Sequence, residues 1–101
     1  PMRHIYNTTF IVEERSEREW VAYMQEHYLS SISSSGLPTD MIFTKVSIDQ
    51  PEGKTYSLQL VFSSEQALNH FLNQHLSAAE ETLLSRYKDH YLCFSSILTE
   101  I

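Results

Sequence analysis

The chain has 101 residues, 42% of them hydrophobic and 12% aromatic, and a formal net charge of −6. That composition makes one globular domain, 1–101, able to bury a core without staples, and excludes a disordered chain. Its seven lysines and arginines are scattered, which sets aside nucleic acid and anionic membrane surfaces as partners.

Residues 4–13 read as the first strand, rich in β-branched and aromatic side chains and free of Gly and Pro. Tyr6, Thr8, Phe10 and Val12 share one face, expected to meet helices; Ile5, Asn7, Thr9 and Ile11 share the other. Ser16-Glu-Arg-Glu19 reads as a capping box. The helix after it extends to about Ser34, with Trp20, Met24, Tyr28 and Ile32 as its apolar stripe, widened by Val21 and Tyr23. Gly36 and Pro38 end it, and the serines around 30–35 predict a fraying last turn. Residues 41–49 read as the second strand, with Ile42, Thr44, Val46 and Ile48 on one face. A turn over 49–53, with Pro51 and Gly53, predicts an antiparallel hairpin. The third strand, 54–62, places Tyr56, Leu58, Leu60 and Phe62 on one face and Thr55, Ser57, Gln59 and Val61 on the other. Ser63-Ser-Glu-Gln66 reads as a second capping box. The helical pattern after it, 64–87, is one helix or two with a bend near Ser77. Residues 91–99 are the last strand.

The order β-α-β-β-α-β predicts an α+β, ferredoxin-like fold: a four-stranded antiparallel sheet with both helices on one face. Strands one and three would be central. The face they leave open, with Ile5, Asn7, Thr9, Ile11, Ser57, Gln59 and Val61, is too apolar to be fully wet. A homodimer in which two such faces close on each other is therefore expected.

Four stretches carry a resemblance: Ile5-Tyr-Asn-Thr-Thr9, the run from Trp20 through Tyr23-Met24 to His27, Thr55-Tyr-Ser-Leu-Gln59 and Tyr91-Leu-Cys-Phe94. In this order the chain resembles a bacterial family of uncharacterised proteins of about this length, a domain of unknown function. It looks like a divergent member of that family. The family carries Trp at the place of Tyr23, Ile-Pro after the His where Tyr28-Leu29 stand, Arg near Lys45, and Gly-Gly where Asp89-His90 stand. The resemblance implies a ferredoxin-like fold related to dimeric α/β barrels, and no activity.

Asn7, Thr9, Ser57 and Gln59 are the candidate binding residues, either orienting a small molecule in a cavity between two sheets or hydrogen-bonding across a filled dimer interface. His27, beside the apolar stripe, is a weak candidate for acid–base work, the plainer reading being a histidine bonded at the edge of the core. Some barrels of this superfamily bind haem through an Asn of strand one with a Trp and a His. Asn7 with His75, His70 or His27 offers part of that set, with Phe71 near where an aromatic would be needed, although the single Trp20 lies on the first helix. Surface histidines are the plainer reading. The enzymatic alternative is an oxygenase-like barrel, cofactor-independent or haem-dependent; a further alternative is a monomer whose open sheet face binds a partner protein. The residues name no cofactor.

No metal is expected: the five histidines lack ligand spacing, and His70 and His75, five apart, should diverge around a helix. No nucleophile elbow, phosphate loop or dinucleotide fingerprint occurs. The single Cys93 is expected as a buried small hydrophobe, and the acidic run Glu13, Glu14, Glu17, Glu19 as a solvated helix start. One unpaired cysteine suits a reducing compartment, and with no leader pattern or membrane-length apolar run the cytoplasm is the expected location. Pro1 reads as an added residue ahead of a natural start at Met2.

Overall fold

The computed structural model describes residues 2–48 and 50–101. The elements are β1 (His4–Val12), α1 (Glu17–Tyr23), a π-helical turn (Met24–Tyr28), α2 (Leu29–Ser33), β2 (Asp40–Lys45), β3 (Lys54–Phe62), α3 (Glu65–Gln74), α4 (Leu76–Tyr87) and β4 (Tyr91–Thr99). The strands form an antiparallel sheet in the order β2-β3-β1-β4, with β1 and β3 central. This is the ferredoxin-like arrangement that the alternating and helical periods predict. Among the described residues no helix is long and apolar enough to cross a membrane.

The core lies between one sheet face and the helices. Phe10, Val12, Leu58, Leu60 and Phe62 rise from β1 and β3 against Trp20, Met24, Tyr28, Ile32, Leu68, Phe71 and Leu83. Each large side chain buried this way contributes about 1.5–3 kcal/mol of transfer free energy. The helical stripe is Trp20, Met24, Tyr28 and Ile32. Its four members stand strictly four residues apart, whereas an α-turn takes 3.6. Such a row drifts by about 40° per step around an ideal helix. The wider π-turn at Met24–Tyr28 takes up that drift, and all four members are buried.

Several expectations are corrected. The first capping box does not form. Glu14–Ser16 is a 3₁₀ turn, and the Ser16 hydroxyl donates to Glu13 Oε2 at 2.6 Å instead of capping α1. The second cap sits one residue later than expected: Ser64 Oγ accepts from the Ala67 N–H at 3.1 Å. The serine-rich end of α2 is tied down. Ser31, Ser34 and Ser35 hydroxyls donate to carbonyls three residues back, and Gly36 closes the turn at φ 72°. β2 ends at Lys45, short of the expected strand to 49, and Val46 and Ile48 are exposed. The expected turn begins at Asp49, which lies outside the described residues, as does Pro1. Gly53 is required where it stands: at φ 147° a Cβ would lie 2.6 Å from the Val12 carbonyl oxygen. The second helical region is two helices, broken at His75 (φ −125°, ψ −33°) and not at Ser77. Asp89 holds φ 71° in the turn before β4, the left-handed region that glycine enters most freely and Asp tolerates.

Candidate functional site

The face of the sheet away from the helices carries the four sequence-predicted binding residues together. In the β1–β3 register Asn7 stands opposite Gln59 and Thr9 opposite Ser57. Ser57 Oγ donates to Asn7 Oδ1 at 3.3 Å, and all four are half-buried by their neighbours in the sheet. Val61 on the same face is buried, where the Thr39 N–H bonds to its carbonyl at 2.7 Å. Around this polar centre the face turns apolar. Register places Leu92, Phe94 and Leu98 of β4 and Ile42 of β2 on it, and they are 71, 62, 42 and 42% exposed.

His27 and His75 come together on the other side of the sheet. Both line a cavity of about 450 Å³ with Tyr23, Ser31, Gln74 and Thr82. Two backbone irregularities aim them there: the π-turn carries His27, and the break between α3 and α4 carries His75. His27 is exposed, not part of the core edge, and its ring packs on Tyr23 at 5.4 Å. The break also brings His70 and His75 to a centroid distance of 5.4 Å, where a continuous helix would have parted them. Phe71 is fully buried against Phe62. The sheet therefore stands between Asn7 and both histidines, and the set of Asn7 with His75 or His27 is not assembled. Among the described residues no group of three or more His, Cys, Asp or Glu could hold a metal ion.

Three clusters were not legible in the sequence. Glu17 Oε2 accepts from Tyr56 Oη at 2.6 Å and pairs with Lys45 Nζ at 2.8 Å, so its carboxyl lies below the ordinary range, Lys45 first and Tyr56 second in effect. Burial, and then this anion, raise the Tyr56 phenol. Glu13 Oε2 collects Ser16 Oγ at 2.6 Å, Arg15 Nε at 2.8 Å and His90 Nδ1 at 2.6 Å. These donors, Ser16 foremost, hold its carboxyl down at about 2. The third cluster is a cavity of about 290 Å³ between α4 and the β1–β4 side of the sheet, lined by Phe10, Tyr28, Glu80, Leu83, Tyr91 and Cys93 among others. Cys93 is exposed and not a buried hydrophobe, because β4 is an edge strand that α4 leaves partly uncovered. Burial raises the Glu80 carboxyl. Burial, reinforced by the nearby Glu80, also raises the Cys93 thiol, and burial, followed by Cys93 and then Glu80, pushes Tyr91 up to about 12. Only the partner elements, separated in sequence, create these surroundings.

The fold recurs in solved structures. A dimeric ferredoxin-like protein from an uncultured marine organism superposes with a TM-score of 0.72 at 7% identity, over 100% of this chain and 96% of that one. An ethyl tert-butyl ether d (ethd) family protein from Bacillus halodurans gives 0.72 at 10% identity, over 97% and 99%. SnoaB, a cofactor-independent oxygenase from Streptomyces nogalater, gives 0.70 at 9% identity, over 95% and 90%. At these identities the likeness is one of fold. No curated protein matches the chain. Residues 3–101 match the domain of unknown function DUF4286, so the chain, with its ferredoxin-like sheet and single layer of helices, belongs to that family.

Proposed function

We propose that the protein is a small self-associating module in which two copies close their helix-free sheet faces on each other. The observation that carries this is the apolar rim of Leu92, Phe94, Leu98 and Ile42 around a half-buried polar centre. Leaving such a patch in water is costly, and a second copy of the same face covers it. A structural neighbour described as dimeric supports self-association. In it, Asn7, Thr9, Ser57 and Gln59 form the polar centre, pairing across the interface or around a small molecule held there. The exposed, unpaired Cys93 favours a reducing, cytoplasmic setting.

The test is solution mass by light scattering for the wild type, Asn7→Arg and Gln59→Arg. The expected outcome is a dimeric wild type and monomeric variants, since two unpaired guanidinium groups would meet at the centre of the interface. A monomeric wild type, or variants that remain dimers, would remove this reading and point to a partner protein on the exposed face.

A further inference from the structure

We propose that the cavity between α4 and the β1–β4 side of the sheet binds a small organic ammonium ion, held by the Glu80 carboxylate among the rings of Phe10, Tyr28 and Tyr91. The site lies across the sheet from the face on which copies would associate, so it stands or falls independently of that association.

Three observations carry the proposal. The first is the walls. Phe10, Tyr28 and Tyr91 form a connected aromatic group, with Phe10 5.2 Å from Trp20 behind it, 6.5 Å from Tyr28 edge-on and 6.1 Å from Tyr91 tilted. All three residues line the cavity, Tyr91 half-buried and Phe10 and Tyr28 almost fully buried. Aromatic faces attract a cation by their quadrupole, and the attraction grows as water is excluded. The second is the charge. Among the described residues lining the cavity, Glu80 is the one ionisable carboxyl, and no lysine, arginine or histidine offsets it. Its effect reaches Tyr28, Tyr91 and Cys93, the other titratable groups there. An anion would meet repulsion in this space. A neutral ligand gains nothing from the carboxylate, whereas a cation is attracted by it and by the neighbouring rings together. The third is the size. About 290 Å³ is room for about ten water molecules, and so for an organic ion of about that many non-hydrogen atoms.

Cys93 makes the test direct, because it lines the cavity and is the only cysteine of the chain. The rate of its alkylation by uncharged iodoacetamide is followed by mass spectrometry on the full chain. Three probes of similar size are compared: benzyltrimethylammonium, benzyl alcohol and phenylacetate. The ammonium ion is expected to slow alkylation at concentrations where the alcohol and the carboxylate do not. Glu80→Gln, on an exposed position of α4, is expected to raise the concentration for half-protection about tenfold or more, as loss of a charged partner does. Tyr91→Leu, with circular dichroism to confirm its fold, is expected to weaken protection as well. Equal protection by benzyl alcohol would mean a merely apolar void and overturn the proposal. So would protection that Glu80→Gln leaves unchanged, or no protection by any probe.

Discussion

Glu13 shows how much one atom can organise. A single carboxylate oxygen accepts from Ser16, Arg15 and His90, while the Glu13 N–H donates to the His90 carbonyl at 3.0 Å. The start of the first helical segment is thereby fastened to the turn before β4. The carboxyl falls from its ordinary 4.5 to about 2 in the folded chain. A depressed carboxyl stabilises the fold fully above its unfolded value and loses that contribution as pH falls through its folded value. Stability should therefore drop with acidification below pH 4.5 toward about 2. Glu17 and Glu100, also lowered by their partners, add to the same acid limb. Urea midpoints at about pH 6 and about pH 3 should differ less in Glu13→Gln than in the wild type. An unchanged difference would mean that this carboxyl carries none of the acid sensitivity.

At the scale of elements, the tie between α1 and the sheet rests on Tyr56. Its hydroxyl donates to Glu17, Lys45 reaches the same oxygen, and its ring stacks on Phe43 at 5.6 Å beside Trp20 at 5.1 Å. Tyr56→Phe keeps the ring packing and removes only the donor. A hydrogen bond to a charged group is worth about 1.5–3 kcal/mol when water is excluded. Glu17 retains Lys45 and some access to water, so the expected loss is about 1 kcal/mol in urea unfolding. A double-mutant cycle with Glu17→Gln should return most of that loss as coupling; additive effects would show that the two groups act separately. The helices illustrate a related lesson. Their interruptions at Met24–Tyr28 and at His75 are what let His27 and His75 face one cavity, consistent with the tendency of π-turns to sit where a helix presents something other than packing.

At the scale of the whole molecule, the unbalanced sheet is the dominant feature. One face is roofed by helices; the other is bare, and β4 presents apolar side chains along an edge. Phe94, 62% exposed on that bare face, is the sharpest probe of it. If the faces pair, the wild-type thermal midpoint should rise with protein concentration, because mass action favours the associated native state. Phe94→Lys should abolish that concentration dependence while leaving far-ultraviolet circular dichroism unchanged. A variant midpoint that still rises with concentration would place the contact elsewhere.

The two sequence periods determined a good deal unaided. Alternation in 5–12 and 55–62 assigned those β1 and β3 residues to their faces, and the composition of the bare face, with Asn7 and Gln59 at its centre, followed from it. The row of Trp20, Met24, Tyr28 and Ile32 marked the buried helical stripe, but it reads as one helix, and the π-turn within it was not legible. Tertiary structure decided what local periods do not encode: how far the helices reach across the sheet, and which distant side chains meet beneath them. From the sequence Cys93 reads as a buried small hydrophobe; register opposite Phe10 puts it on the helix side, and the position of α4 leaves it exposed beside Glu80 and Tyr91. The same holds for His27 and His75. They share a cavity because a widened turn and a broken helix converge in space, and that convergence is a property of packing between segments far apart in the chain.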